Sequence, residues 1–173
     1  MGKALGSWSG MRKYLEQEML AKCLQGRIRY NCTSYVGMDG DHIFETFIDG
    51  KLTKQFSLET VNTYFINKGY NKKAESYGIT GYWEDFWTIL DRISIQSRTE
   101  YTDNEFCDAL EKYRNQPIED SLFSENSIIR MFAILDRRIG KRKIASLFDT
   151  LEKQPKWLQT FYNLRLEAEQ IKD

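Results

Sequence analysis

The sequence predicts an α+β fold, in which an N-terminal helix packs on a three-stranded antiparallel meander and a helical half follows. The spacing of apolar residues changes from helical to alternating near residue 28 and returns to helical after residue 57. The dipeptide Asp49-Gly50 lies between two alternating segments, which is a strong signal for a tight hairpin. With 41% hydrophobic residues in a chain of 173, a real core is expected, and we predict a single domain over residues 1–173.

The first predicted element is an amphipathic helix from about Ser7 to Leu24, ended by Gly26. Residues at helical spacing form its apolar face, namely Trp8, Met11, Leu15 and Met19. We expect this helix to pack on the meander, and the two together to form a subdomain over residues 1–69.

Three strands are predicted next. In the first, Ile28, Tyr30 and Cys32 face the core. The alternate residues then face solvent, and these are Arg27, Arg29, Asn31, Thr33 and Tyr35. The second strand is predicted over His42–Ile48 and the third over Lys51–Phe56. Such a meander leaves open edges, which would allow a homodimer through an edge strand.

Helical spacing then predicts a second subdomain over residues 82–173. The segment before it, from Tyr70 to Gly81, is polar and interrupted by glycines, which predicts the longest loop. The helices expected from residue 57 onwards are one from Ser57 to Gly69, one over Tyr82–Ile95, one behind a capping box at Thr102–Glu105, one over Ile128–Ile139 capped by Ser124, and one beginning at Pro155.

The composition argues against several classes of protein. Lys and Arg number 25, as do Asp and Glu, and this zero net charge is unusual for a dedicated nucleic-acid binder. The three cysteines form no CxxC pair, which disfavours a zinc site and fits a reducing compartment. His42 is the only histidine, and Asp39 and Asp41 beside it are more typical of a turn than of a cation site. We therefore predict no catalytic constellation, no metal and no cofactor, and the balance leans away from an enzyme.

No apolar segment follows Met1, and no stretch of the sequence approaches the length of a membrane-spanning helix. The expectation is a cytoplasmic protein that does not bind a membrane.

Charge is distributed unevenly along the chain. Residues 1–30 and 130–143 are strongly basic, whereas residues 100–125 are acidic. If the two basic segments face the same way, they form a basic face that recognises a charged partner. In the alternative, basic and acidic segments pair with each other inside the fold, which is the more common arrangement for runs of charge.

The candidate binding residues come from two places. One is the solvent-facing side of the first predicted strand, where Arg alternates with groups that hydrogen-bond or stack. The other is the run of five cations around Gly140, where a helix start adds positive potential. In the structural alternative, these cations oppose a helix dipole and Asp136 pairs with an Arg. The candidates for binding an anion or a partner are Arg27, Arg29, Tyr35, Arg137, Arg138, Lys141 and Arg142.

Two sequence segments also carry a resemblance. Gly26–Tyr30 (GRIRY) followed by Thr33–Tyr35 (TSY), and later Leu135–Arg142 (LDRRIGKR), occur in an order that resembles a family of small uncharacterised bacterial proteins. The resemblance implies a bacterial cytoplasmic source and transfers no catalytic residue.

The favoured functional hypothesis is a non-enzymatic binding or regulatory protein that recognises a charged protein partner. The first alternative is RNA or DNA binding by a basic face of Arg27, Arg29, Tyr35 and residues 137–143, with an affinity that falls steeply with salt. The second alternative is an enzyme on an anionic small molecule, held by Arg137, Arg138 and Lys141.

Overall fold

A computed structural model of the chain describes residues 6–34, 42–73 and 78–171. One antiparallel sheet contains β1 (Ile28–Ser34), β2 (His42–Ile48) and β3 (Lys51–Phe56), in the order β1-β2-β3. The helices are α1 (Trp8–Lys13), α2 (Leu58–Asn67), α3 (Gly78–Asp91), α4 (Asp103–Asn115), α5 (Ile118–Leu122), α6 (Ser127–Leu135), α7 (Lys141–Ser146) and α8 (Lys156–Ala168). This order confirms the predicted α+β fold, with an N-terminal helix, a three-stranded meander and a helical half.

The β2–β3 hairpin turns at the predicted dipeptide. Asp49 and Gly50 have φ values of 49° and 79°, as a turn with two left-handed residues requires. On β1, Ile28 and Tyr30 are buried and Arg29 is exposed, so the alternation predicted from the sequence is confirmed. The sheet therefore has one face on the core and one face in solvent.

The prediction of one long N-terminal helix is wrong. Helix α1 ends at Lys13, a wider π-helical turn occupies Tyr14–Glu18, and a short 3₁₀ turn occupies Lys22–Leu24. The predicted apolar face is nevertheless buried, because Met11, Leu15 and Met19 all lie in the core.

The helix is interrupted because the backbone of this segment pairs with a distant part of the chain. Leu20 forms an isolated antiparallel bridge with Asp136. The Ala21 N–H donates to the Leu135 carbonyl at 2.9 Å, and the Arg137 N–H donates to the Met19 carbonyl at 2.8 Å. We call this contact the 20–136 bridge, and it satisfies backbone groups that a continued helix would have satisfied internally.

Other helix boundaries are partly as predicted. The Ser57 cap of α2, the capping box of Thr102 and Glu105 on α4, and the start of α8 after Pro155 are confirmed. Helix α3 begins at Gly78, so the predicted loop is wrong over residues 78–81.

The predicted bounds of α6 are also wrong. Its N-cap is Asn126 rather than Ser124, since the Asn126 side chain accepts from the Ile128 N–H at 2.9 Å. The helix ends at Leu135 rather than Ile139, because Asp136 has extended backbone in the 20–136 bridge.

Buried apolar residues form two clusters. The main core joins the N-terminal segment and the sheet to α4, α6 and α8, and at its centre Phe106 stacks on Phe44 with ring centroids 4.7 Å apart. The small core lies between α2 and α3, and its fully buried members are Val61, Phe65, Phe86 and Leu90. Within the described ranges, no helix is both long enough and apolar enough to cross a bilayer.

Candidate functional site

The basic segment after α6 is held in place by one buried carboxylate. Asp136 is 1% exposed, and it accepts from the Arg138 backbone N–H at 2.6 Å and from Arg138 Nη2 at 2.7 Å. The Tyr113 hydroxyl donates to the same carboxylate. Burial, and then the Asp136 charge, raise the pKa of Tyr113, so the phenol stays protonated and remains a donor.

Arg138 is therefore paired with a carboxylate of its own fold. Its hydrogen bonds with Asp136 raise the pKa of the guanidinium above its ordinary value. The pair matches the structural alternative in which Asp136 binds an Arg of the run, although half of the Arg138 side chain remains exposed, at 50%. Without Arg138, Asp136 would be a buried charge with no cationic partner, which is costly.

Three cations of the same run remain at the surface. Arg137, Lys141 and Arg142 are exposed, and their side chains form no hydrogen bond or ion pair with any residue that the structure describes. Helix α7 begins directly after Gly140, which places Lys141 and Arg142 in its first turn. We call Arg137, Lys141 and Arg142 the 137–142 cations.

The last cation of the run is paired. Lys143 Nζ lies 3.0 Å from Glu119 of α5 and 5.2 Å from the centre of the Phe123 ring. This ion pair joins the basic segment to the acidic segment over residues 100–125, so internal charge pairing accounts for part of the sequence pattern. It also attaches α7 to α5.

Two of the other predicted site residues lie at the start of β1, where Arg27 directly precedes the strand and Arg29 lies on it. Arg27 is matched by two carboxylates, because its Nη2 lies 2.7 Å from Asp49 and its Nη1 lies 3.2 Å from Glu167 of α8. Arg29 is exposed and lines a cleft with Arg12 and the Arg12-bound Glu16. Tyr35 lies outside the described residues.

The structure brings the backbones of the two basic segments together at the 20–136 bridge. Arg29 lies on β1 and lines the cleft with Arg12 and Glu16, and Arg137, Lys141 and Arg142 do not line that cleft. The 137–142 cations are close together in sequence, between the end of α6 and the first turn of α7, whereas Arg29 lies on the sheet.

Other residues considered for chemistry have structural roles. The His42 backbone N–H donates to Asp103 at 3.1 Å, while Asp39 and Asp41 lie outside the described residues. Burial raises the pKa of the Cys107 thiol to about 12 and also raises that of Cys32, so both thiols are protonated at neutral pH. In the part of the chain that the structure describes, no group of three or more His, Cys, Asp or Glu residues could hold a metal ion.

Sequence reasoning missed two arginines in the helical half. Arg165 of α8 is 2% exposed, pairs with Glu169 at 2.9 Å, and donates to the Ile139 carbonyl at 2.8 Å just beyond α6. Arg130 of α6 is partly buried and lines a cleft of about 580 Å³. The signal for Arg130 was present in the sequence, because it is the one charged residue in the otherwise apolar stretch SIIRMFAIL.

Fold and surface together define an α+β protein whose helices pack on one face of a small antiparallel sheet and which displays cations from the end of α6 to the start of α7. The chain belongs to the SF0329 protein family, whose model matches residues 7–166. This membership agrees with the predicted resemblance to an uncharacterised family. Neither the curated proteins nor the solved structures contain a match to the chain.

Proposed function

We propose that the chain is a non-enzymatic, bacterial, cytoplasmic binding or regulatory protein that recognises an acidic protein partner through the 137–142 cations. The observation that carries the proposal is the contrast within one short run. Arg138 and Lys143 form ion pairs with carboxylates of the fold, whereas Arg137, Lys141 and Arg142 are exposed with no counter-charge among the described residues.

The backbone beneath these cations is fixed on three sides. The 20–136 bridge holds Arg137, the Asp136 carboxylate holds Arg138, and the Lys143–Glu119 pair holds α7. A surface that is ordered before binding loses less conformational entropy when a partner arrives. Clustered charge of one sign also speeds encounter with an oppositely charged surface.

A protein partner is favoured over nucleic acid by the charge of the whole molecule. The net charge is zero, and Arg27 is already matched by Asp49 and Glu167. Nucleic-acid binders gain most of their affinity by neutralising many phosphates, which calls for a larger surplus of cations. A small cluster of exposed cations instead suits an acidic patch on a protein.

The test is charge reversal of the cluster. The tagged triple variant Arg137→Glu, Lys141→Glu, Arg142→Glu is compared with the wild-type chain in affinity purification from a bacterial host at low salt, with co-eluting protein and nucleic acid both quantified. Charge reversal places like charges against each other at the interface, which costs several kcal/mol. We therefore expect the variant to lose a stoichiometric acidic partner that the wild-type chain retains.

The matched control reverses three other exposed cations that form no ion pair with a described residue, as Lys51→Glu, Lys72→Glu, Arg92→Glu. It changes the net charge by the same amount and is expected to retain the partner. Equal recovery of a partner by wild type and the 137–142 variant contradicts the proposal. So does recovery of nucleic acid that washes off with salt, which is the outcome expected of a nucleic-acid binder.

A further inference from the structure

The cleft beside Arg130 lies in the helical half, and its lining comes from parts of the chain that are separated in sequence. Its walls come from the end of α5, the segment before α6, the 3₁₀ segment Phe148–Lys153 and the start of α8. Its volume is about 580 Å³, which is in the range of pockets that hold small molecules. The 137–142 cations do not line it, so it is a separate feature from the proposed partner surface.

Arg130 is a partly buried cation that has only neutral partners. Its Nε donates to Gln154 Oε1 at 3.0 Å, its Nη1 donates to the Ser124 and Glu125 carbonyls, and its Nη2 donates to Ser127 Oγ at 2.9 Å. A guanidinium has five N–H groups, and these four bonds leave one on Nη2. Among the described residues no carboxylate forms an ion pair with Arg130.

A cation in this position lacks a counter-charge. Burial lowers the pKa of Arg130 from its ordinary value, which records the cost of holding its charge away from water. The four neutral acceptors orient the guanidinium without neutralising it. An anion in the cleft would supply the missing charge, and a partly desolvated Arg binds carboxylate and phosphate groups strongly.

The rest of the lining supports the same ligand chemistry. Lys153 lies exposed at the cleft and, in the described ranges, forms no ion pair, whereas Glu125 is the one carboxylate of the lining. The Tyr162 hydroxyl has no hydrogen-bond partner among the described residues. The start of α8 has no side-chain cap, so its first N–H groups add positive potential at the same place.

The cleft also has an apolar wall. Leu122, Phe123, Leu147 and Pro155 form this part of the lining, and the Phe123 ring is 63% exposed. An exposed aromatic ring beside an unmatched guanidinium suits a molecule that has both an apolar body and an anionic group.

The geometry points to a binding site in the Arg130 cleft for a small organic anion, whose carboxylate or phosphate group is held by Arg130, Lys153 and Tyr162 and whose apolar part lies on Phe123. The site is independent of the partner surface proposed above.

The test is an NMR titration of the full chain with benzoate and with phenyl phosphate. These two ligands distinguish a carboxylate from a phosphate as the bound group. Benzamide, which is neutral, is the control ligand. The Arg130 Nε–H signal reports on the site directly. We expect saturable shifts of Arg130, Lys153 and Tyr162 with at least one anion and no saturable shift with benzamide. Equal binding of benzamide, or no saturable binding of either anion, overturns the inference.

Four variants locate the effect. Lys153→Glu reverses a charge of the lining and is expected to weaken binding about tenfold or more, whereas Glu125→Gln removes the opposing carboxylate and is expected to strengthen it. Arg130→Gln is expected to abolish binding. Lys72→Glu, on an exposed cation outside the lining, is expected to leave it unchanged.

If Arg130→Gln fails to fold, Lys153→Glu and Glu125→Gln still decide the matter, since both change exposed side chains. Affinities that do not move in these opposite directions overturn the inference. Chemical-shift changes on titration that are confined to residues 137–142 also overturn the inference.

Discussion

The main core and the small core are both rich in aromatic rings, but they differ in how far along the chain their members come from. The main core joins residues from the N-terminal segment to α8, with Leu15, Phe44, Phe106 and Phe161 all fully buried. The buried residues of the small core all come from α2 and α3, and Tyr70 from the segment between these helices packs against them. On α3 only Phe86 and Leu90 are buried, and Ile79 and Trp87 are 73% and 42% exposed.

The difference indicates that ring content alone does not make a stable core. A main-core ring is enclosed by several elements, so exposing it disrupts all of them together. A small-core ring is enclosed by two helices that are close in sequence, so it can be exposed by a local opening. Regions with few buried apolar contacts are the ones that open at low free energy.

The largest expected effect separates the two cores directly. Phe132 packs on Phe106 with ring centroids 5.5 Å apart, and Phe132→Ala should lower the free energy of unfolding of the whole chain by about 3–5 kcal/mol. Phe86 packs on Phe65 at 4.8 Å, and Phe86→Ala should release mainly α2 and α3. Urea unfolding with hydrogen exchange resolved by peptide checks both. Loss of protection throughout the chain in the Phe86 variant would contradict the distinction.

A smaller effect distinguishes two buried phenols of the main core. Tyr113 donates to the buried Asp136, so Tyr113→Phe should cost about 1.5–3 kcal/mol, the value of a hydrogen bond to a charged group. The Tyr30 hydroxyl is buried and has no hydrogen-bond partner in the described part of the chain, so Tyr30→Phe should leave stability unchanged or raise it. Urea unfolding at neutral pH measures both variants. Equal losses would show that the Asp136 bond carries no special weight.

The smallest expected effect is a dependence on alkaline pH. Burial raises the pKa of Tyr30 and Tyr162, whereas an unfolded chain ionises its tyrosines near 10.0. Above that pH the unfolded state binds fewer protons than the folded state, so stability is lost as the pH rises. Each such tyrosine contributes at most about 1.4 kcal/mol per pH unit. Unfolding measured between pH 8 and 11 should show a shallower decline for Tyr30→Phe, and an identical slope would contradict this.

The strands were predictable because their signals are local. The alternation over Ile28–Cys32 and the Asp49-Gly50 turn depend on neighbouring residues, and β2 and β3 have the predicted bounds. The break after α1 was not predictable, because it depends on backbone pairing with residues far along the chain. The spacing of Met11, Leu15 and Met19 gives the buried face correctly but contains no information about that partner.

The same limit applies to the site. The run from Arg137 to Arg142 was found as a concentration of charge, but only the three-dimensional contacts separate Arg138, which is paired with Asp136, from its unpaired neighbours. The Arg130 cleft needs α5, α6 and α8 to be assembled before it exists. The only sign of this cleft in the sequence is the single Arg in the apolar sequence of α6. That residue alone does not indicate which groups surround it in the fold.

The 20–136 bridge has a consequence for how the protein is made. The segment around Leu20 leaves the ribosome well before its backbone partner at residues 135–137 is made. Until then Leu15, Met19 and Leu20 belong to a nascent chain whose main core cannot close. Contacts of such long sequence separation form slowly and leave apolar surface exposed in the meantime. The earlier segment therefore depends on synthesis of residues 135–137, and chains released before α6 should be substrates for chaperones and proteases.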